Sequence, residues 1–283
     1  MFSETARQVV HMSMGLFALL LRALTWWQAA LCALAALAFN AAVLPRMGGR
    51  TIVRPVDAAR GYPFGILVYP VSVLLLILAF PDRLDIAASA WGIMAFGDGA
   101  ATLAGRRWGR HHLAWNPEKT VEGLLAFVVA GGAAAVLLAW WTAPAVSPRP
   151  AMAFIVAAPL LAALAAGLVE TVPIALDDNI SVPAAAGAVL WLCSLATAAA
   201  WASNRDGLAA NLAPALVVNT VAAGGGWLLR TVRVSGMLGG WAIGVAVFAC
   251  LGAGGWALLF LTFFTATVAS RLGLKKKALL GIA

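Results

Sequence analysis

Apolar runs of about twenty residues recur from one end of the chain to the other, each long enough to cross roughly 30 Å of hydrocarbon as a helix. Lipid offers no partner to a backbone amide or carbonyl. Runs of this length must therefore satisfy their hydrogen bonds within the segment, as helices do. Hydrophobic residues fill 63% of the 283 positions and charged residues 11%, where soluble domains average roughly a half and a quarter. The expected fold class is all-α, a polytopic integral membrane protein of about ten transmembrane helices.

The spans fall near residues 8–23, 25–45, 62–80, 84–104, 121–142, 151–169, 182–202, 209–228, 237–253 and 255–270. Turn-forming residues separate them: Pro45, Pro81-Asp82, Asn116-Pro117, Pro148 and Pro150, Pro183, and Asn204 to Gly207. The linkers are too short for a separate soluble domain. No cleavable signal peptide is read, since His11 interrupts the first apolar run, arginines flank it and no small-residue cleavage site follows. Cys32, Cys193 and Cys250 stand singly in apolar runs without metal spacing and read as small core residues.

A cytoplasmic amino terminus places fifteen basic residues inside: Arg7, Arg46, Arg50, Arg54, Arg60, Arg106, Arg107, Arg110, Lys119, Arg230, Arg233, Arg271 and Lys275 to Lys277. Only four fall outside, namely Arg22, Arg83, Arg149 and Arg205. The split follows the positive-inside rule, and it accounts for the net charge of +8 through anionic headgroups, with no call for nucleic acid. The expected location is a bacterial cytoplasmic membrane, with the site facing the cytoplasm.

The same parity brings two polar stretches to one face, FGDGAATLAGRRWGRHHLAWNPEKTVEG from Phe96 and ETVPIALDDNISVP from Glu170. Carboxylates beside cationic side chains at a membrane face suit a metal–nucleotide complex, in which the acids hold Mg²⁺ and the cations neutralise phosphate oxygens. Asp98 is the most informative residue, because a charge near the end of an apolar helix is costly without a partner or a task. Gly97 and Gly99 on either side let a ligand or another backbone come close. Gly105 and Gly109 repeat at the spacing of close helix packing. Arg7 and His11, four residues apart, share a helix face.

The order GDG-x5-G-x3-G followed by NPEKTVEG resembles the signature of the CTP-dependent polyprenol kinases, the phytol kinase and dolichol kinase family. The match falls on Asp98, Gly105, Gly109, Lys119, Thr120, Glu122 and Gly123. RQVVHMSMG, with Arg7, His11 and Gly15, is similar to the family's amino-terminal element, and Glu170 followed by Asp177, Asp178 and Asn179 to its acidic loop. The resemblance covers residues 4–203. It implies CTP as phosphate donor and an isoprenoid alcohol dissolved in the bilayer as acceptor.

On that resemblance, Asp98, Asp177 and Asp178 are expected to hold Mg²⁺ on the nucleotide. Lys119 would hold a phosphate, and Thr120 a phosphate oxygen or metal-bound water. Glu122 would anchor Lys119 or orient the site. Gly97, Gly99, Gly105 and Gly109 would border the nucleotide. Arg106 and Arg107 fit nucleotide binding and positive-inside anchoring equally. Arg7, His11, Asn116, Glu170 and Asn179 are further candidates, His11 weighed between a direct role and a bond to a neighbouring helix.

The last third is expected to be a second segment, 206–283, beside a kinase-like domain over 1–205. Gly236, Gly240 and Gly244 form a small-residue seam able to support a helix pair. With Asn219, Ser235, Arg271 and Lys275 to Lys277, the segment resembles the opening of the membrane family that includes plant phytyl-phosphate kinase. The match stops at Ala283, which leaves either the front of a fused two-kinase protein or a truncated one. Two rival functions are a CTP-using phospholipid cytidylyltransferase-like enzyme and a non-enzymatic transporter. The first lacks its expected carboxyl-terminal signature here, and the second should carry midplane charges in two repeated halves.

Overall fold

The apolar runs fold as helices in the computed structural model, which describes residues 4–44, 46, 64–173, 176–229 and 231–271. Contacts divide the chain into two units, 1–195 and 196–283.

In the first unit, α1 (Glu4–Gly15) tightens into a 3₁₀ segment, Leu16–Arg22. Thr25 and Gln28 form a capping box that starts α2 (Trp26–Ala42), and α3 (Phe64–Ala79) packs beside it. Next come α4 (Leu84–Gly92), a widened π turn over Ile93–Gly97, and α5 (Asp98–Trp108). A short antiparallel hairpin, β1 (His112–Leu113) and β2 (Asn116–Thr120), leads into α6 (Val121–Thr142). It is a small β element in a fold expected to be wholly helical. The unit ends with α7 (Met152–Thr171) and α8 (Asp178–Leu195).

The core is built largely from alanine and glycine. Ala87, Ala88, Ala90, Ala135, Ala162, Ala163, Ala166 and Ala186 are almost fully buried. Small residues let helices approach closely where lipid provides no hydrophobic drive between them. The tightest crossing sets α6 on the π turn: a Cβ on Gly131 would lie 3.2 Å from the Gly97 Cα, with Phe127 fully buried alongside.

The second unit holds α9 (Ala198–Leu228) and α10 (Val234–Arg271), the latter two helices that meet at a kink at Gly252. Asn211 donates to the Ala249 carbonyl at 3.4 Å, and Trp241 Nε1 to the Thr220 hydroxyl at 3.0 Å, which fixes an antiparallel pair. Gly244 abuts the Asn219 amide, so that part of the glycine seam is used within the unit, whereas Gly240 faces open space. At Gly252 the backbone turns to φ 70°, a left-handed conformation that suits glycine. Beyond it Trp256 Nε1 returns to donate to Asn219 Oδ1 at 2.8 Å. Lys275 to Lys277 lie outside the described residues.

Five helices among the described residues are long and apolar enough to cross a membrane: Val121–Ala145, Met152–Thr171, Asp178–Leu195, Ala198–Leu228 and Val234–Ala269. The chain is an all-α membrane protein, and the last of these five runs, broken at Gly252, holds two of the ten expected spans, 237–253 and 255–270. The differences have local causes. The run 84–104 stays helical through the π turn but is made of α4 and α5, each too short to count alone, and α2 and α3 are apolar but shorter. Pro183 does not start a span. It lies buried inside α8, close enough to the helix start that few hydrogen bonds are forfeited. The break expected at Asn204 falls instead at Thr197, whose hydroxyl caps α9 by accepting from Ala200 N at 3.0 Å. Ser203 and Asn204 then turn back onto the Ala200 carbonyl and are absorbed into the helix. Cys32 and Cys250 are exposed, so they are not core residues, and Cys193 is half-buried.

Candidate active site

α6, at 22 residues, spans about 33 Å and separates two polar ends of the first unit. At its far end Arg22 lies 4.3 Å over the Trp141 ring, and the neighbouring Arg83 pairs with buried Asp85 at 2.8 Å. At its near end the termini of α5, α7 and α8 converge with the hairpin. Among the described residues, three carboxylates meet there. Ligand oxygens of Asp98, Glu170 and Asp178 all lie within 4.8 Å of one another.

Each acid is placed by its own local device. Asp98 opens α5 directly after the π turn, where an extra residue per turn loosens the carbonyl ladder. Met94 O, within that turn, lies 3.3 Å from His11 Nε2, and Asp98 Oδ2 lies 3.8 Å from the same nitrogen. Glu170 is 5% exposed in the last turn of α7. Asp178 starts α8 behind Asp177, whose carbonyl and carboxylate both engage that helix's first amides.

Lys119 reaches the cluster from β2. It bonds Glu170 directly, and its Nζ lies 3.6 Å from Asp178. Burial works against the Lys119 ammonium, but Glu170, Asp178 and Asp98 together outweigh it and hold the group above the ordinary lysine value. The hairpin is pinned where this reach requires. Asn116 is buried and donates to the Thr171 carbonyl at 3.0 Å, while Trp115 Nε1 donates to the Thr171 hydroxyl at 3.1 Å. Both anchors sit one residue beyond Glu170. Trp115 carried no signal in the sequence, since a tryptophan at a membrane face is ordinary.

Several expected roles change. Asp177 is not in the carboxylate cluster. Its Oδ1 accepts from the backbone and side-chain nitrogens of Asn179, each at 2.9 Å, as a helix cap does. Glu170 takes the third position. Glu122 does not anchor Lys119. It accepts from His111 Nδ1 at 2.6 Å, because Thr120 ends the strand and the helix turns Glu122 toward the hairpin. The Thr120 hydroxyl caps α6, accepting from Gly123 N at 3.2 Å.

The glycines expected beside a nucleotide instead admit other parts of the chain. A Cβ on Gly99 would lie 2.6 Å from Met12 Sδ, and one on Gly97 3.0 Å from the Phe127 ring. Gly105 and Gly109 both enclose Thr120. Arg106 and Arg107 are exposed at the end of α5, and Arg7 pairs with Glu4.

A cavity of about 740 Å³ opens beside the cluster, between α1, the 3₁₀ segment, α2 and α3. Arg7, His11 and Asn179 line its polar end, and Tyr69 stands edge-on to His11 at 4.7 Å with its hydroxyl accepting from Trp91 at 2.8 Å. Asn40 joins them from α2, and the rest of the wall is largely apolar. An apolar interface between helices reads the same in sequence whether or not it encloses space, so nothing signalled this cavity.

Carboxylates and a lysine thus gather beside one end of an apolar cavity in a helical membrane protein. A phytol kinase from Synechocystis sp. is 30% identical over 201 residues, covering 67% of this chain and 82% of that protein. The chain belongs to the phytol kinase family. A probable chloroplastic phytol kinase of Triticum aestivum is 34% identical over 134 residues, and a probable chloroplastic phytol kinase 1 of Glycine max is 31% identical over 144. These alignments cover 45% and 48% of this chain, and the chain spans only 43% and 44% of those two plant relatives. No protein-family model matches the chain, and no solved structure matches it.

Proposed function

We propose that the chain is a membrane-embedded kinase transferring the terminal phosphate of CTP to the hydroxyl of an isoprenoid alcohol. Family membership supports the reaction class. The observation that carries the proposal is the junction at His11, which lines the apolar cavity and lies 3.8 Å from Asp98 of the carboxylate cluster. CTP as the donor follows from the motif resemblance.

The donor set fits Mg²⁺. Three carboxylates against one ammonium leave two uncompensated negative charges, and all the ligand atoms are hard oxygens. Asp98, Glu170 and Asp178 would hold the ion, which when bound draws charge from the phosphate oxygens. Lys119 supplies a positive charge from the hairpin side and faces the phosphate being transferred. Little covalent chemistry falls to the protein in phosphoryl transfer, so positioning supplies most of the effect. The alcohol oxygen attacks the terminal phosphorus as the bond to the bridging oxygen breaks, releasing CDP. The hydroxyl proton passes to the carboxylate cluster, where Asp98 is the member touching His11. The Asn116 and Trp115 anchors keep Lys119 in register with Glu170.

The test uses detergent-purified protein, Mg²⁺, CTP labelled on the terminal phosphate, and a panel of prenols, with ATP and GTP in parallel. Labelled prenyl phosphate is the expected product. Its absence with every alcohol and every nucleotide would overturn the proposal. Product formed from ATP but not CTP would overturn the donor assignment.

A further inference from the structure

The cavity has a direction. α1 and the 3₁₀ segment run along it, presenting His11, Met14, Phe17, Leu21 and Leu24 in turn. The rise from His11 to Leu24, at 1.5 Å per residue to Gly15 and about 2.0 Å beyond, gives a length of about 24 Å. α2 lines the opposite wall and runs the other way. Its Asn40 donates to the Ile66 carbonyl at 3.1 Å, and Tyr69, one turn further along α3, meets His11. The carboxyl end of α2 is therefore level with the polar end of the cavity, and its amino end with the far end.

The α2 wall is made of small side chains. Ala29, Ala33 and Ala36 face the cavity at helical spacing, and Ala29 and Ala33 are 4% and 6% exposed. Measured up from Asn40 at 1.5 Å per residue, they stand about 6, 10 and 16 Å from the polar end in the order Ala36, Ala33, Ala29. Ile77 and Leu21, nearly fully buried, pack around the far end. Phe17, Leu20 and Phe39 are about half exposed along the rim, which leaves the cavity open sideways to lipid.

We infer that Ala36, Ala33 and Ala29 form a ruler for prenyl chain length, each admitting a further portion of the chain whose hydroxyl lies at His11. The inference rests on the kinase reading above. An extended chain of staggered carbons advances about 5 Å per isoprene unit, so the cavity accommodates about four or five units. A phenylalanine at any of the three alanines places a ring in the path of the chain beyond that point, and at Ala33 and Ala29, which are buried, the helices around it leave little room to adjust.

The experiment measures kcat/KM for geraniol, farnesol, geranylgeraniol and geranylfarnesol, which lengthen by one isoprene unit at each step. Wild type is compared with Ala36→Phe, Ala33→Phe and Ala29→Phe. Leu34→Phe, on the lipid-facing side of α2 at 45% exposure, is the control for bulk on the same helix. Ala33→Phe should lower the ratio of geranylgeraniol to geraniol activity at least tenfold. Ala29→Phe should spare farnesol, whose three units end at about 15 Å, and lower geranylgeraniol and geranylfarnesol, whereas Ala36→Phe, about 6 Å along, should already penalise geraniol. Leu34→Phe should leave every ratio within about twofold of wild type. Equal losses for all four alcohols in Ala33→Phe or Ala29→Phe, or a cut-off that does not move with the substituted position, would overturn the ruler. A wild-type protein that phosphorylates none of the alcohols would instead overturn the kinase reading.

Discussion

Replacing Glu170 with glutamine separates a metal-binding role from a structural one. The carboxylate oxygens of Asp98, Glu170 and Asp178 lie within 4.8 Å of one another, and at an effective dielectric of about 20 each such pair repels by at least about 3.5 kcal/mol. Glu170→Gln relieves two of these repulsions. It also removes the attraction to Lys119, which sits closer to Glu170 than its 3.6 Å from Asp178 and so contributes more than about 4.5 kcal/mol on the same scale. Lys119 is 31% exposed, so water reduces the pairing below its Coulombic value. The relief and the loss, both reduced by water at Asp178 and Lys119, largely offset, and the amide keeps a hydrogen bond for the ammonium. Stability should therefore change by no more than about 2 kcal/mol, a shift of a few degrees in melting temperature. Affinity for a divalent cation should respond differently, because one of three anionic ligands has gone. We expect the free Mg²⁺ giving half-maximal phosphorylation to rise at least tenfold, equivalent to about 1.4 kcal/mol. The assay is initial rate against free Mg²⁺, with thermal unfolding of the same detergent preparations. Superimposable Mg²⁺ curves would refute the assignment of Glu170 as a ligand. A melting temperature that collapses would refute the electrostatic balance.

Asp177→Asn should be nearly wild type, since asparagine caps a helix about as well as aspartate, while Asp178→Asn should raise the Mg²⁺ requirement; matching curves for the two variants, measured side by side, would contradict the division of roles. Gly99→Ala drives a Cβ into Met12 and should destabilise the protein by about 1–3 kcal/mol, with recovery in the Gly99→Ala/Met12→Ala double variant; a double variant no more stable than the single one would remove the packing explanation. In a background lacking the three native cysteines, single cysteines at His112 and Asp178 should react with an impermeant thiol reagent from the cytoplasmic side and one at Ser147 from the other side. Labelling of 112 and 178 from opposite sides would dismantle the shared site.

Asp98 was legible because a charge between glycines in an apolar helix has few uses. Lys119 was legible because its motif follows in order. Their partners were not. Asp177 and Asp178 are adjacent, and adjacency hid the fact that one caps the helix while the other joins the cluster. Glu122 lies closer to Lys119 in sequence than Glu170 does, yet Thr120 turns strand into helix between them and sends the two side chains apart. The helical class followed from span length, but several boundaries did not. Asn204 and Pro183 carry break-forming chemistry that a helix can absorb when a cap such as Thr197 lies nearby.

The sideways-open cavity bears on how an insoluble alcohol finds its enzyme. A bilayer is an anisotropic solvent, and a prenol within it already keeps its hydroxyl near the headgroups and its chain along the membrane normal. The cavity runs along α1 with its polar end beside the termini of α5 and α8, so on the proposed reading, with α1 along the membrane normal, the bound chain would lie much as the free one does. The search is then two-dimensional, and most of the orientational entropy of the encounter has been given up before contact. On the same reading the nucleotide, arriving from water, would carry the remaining ordering cost.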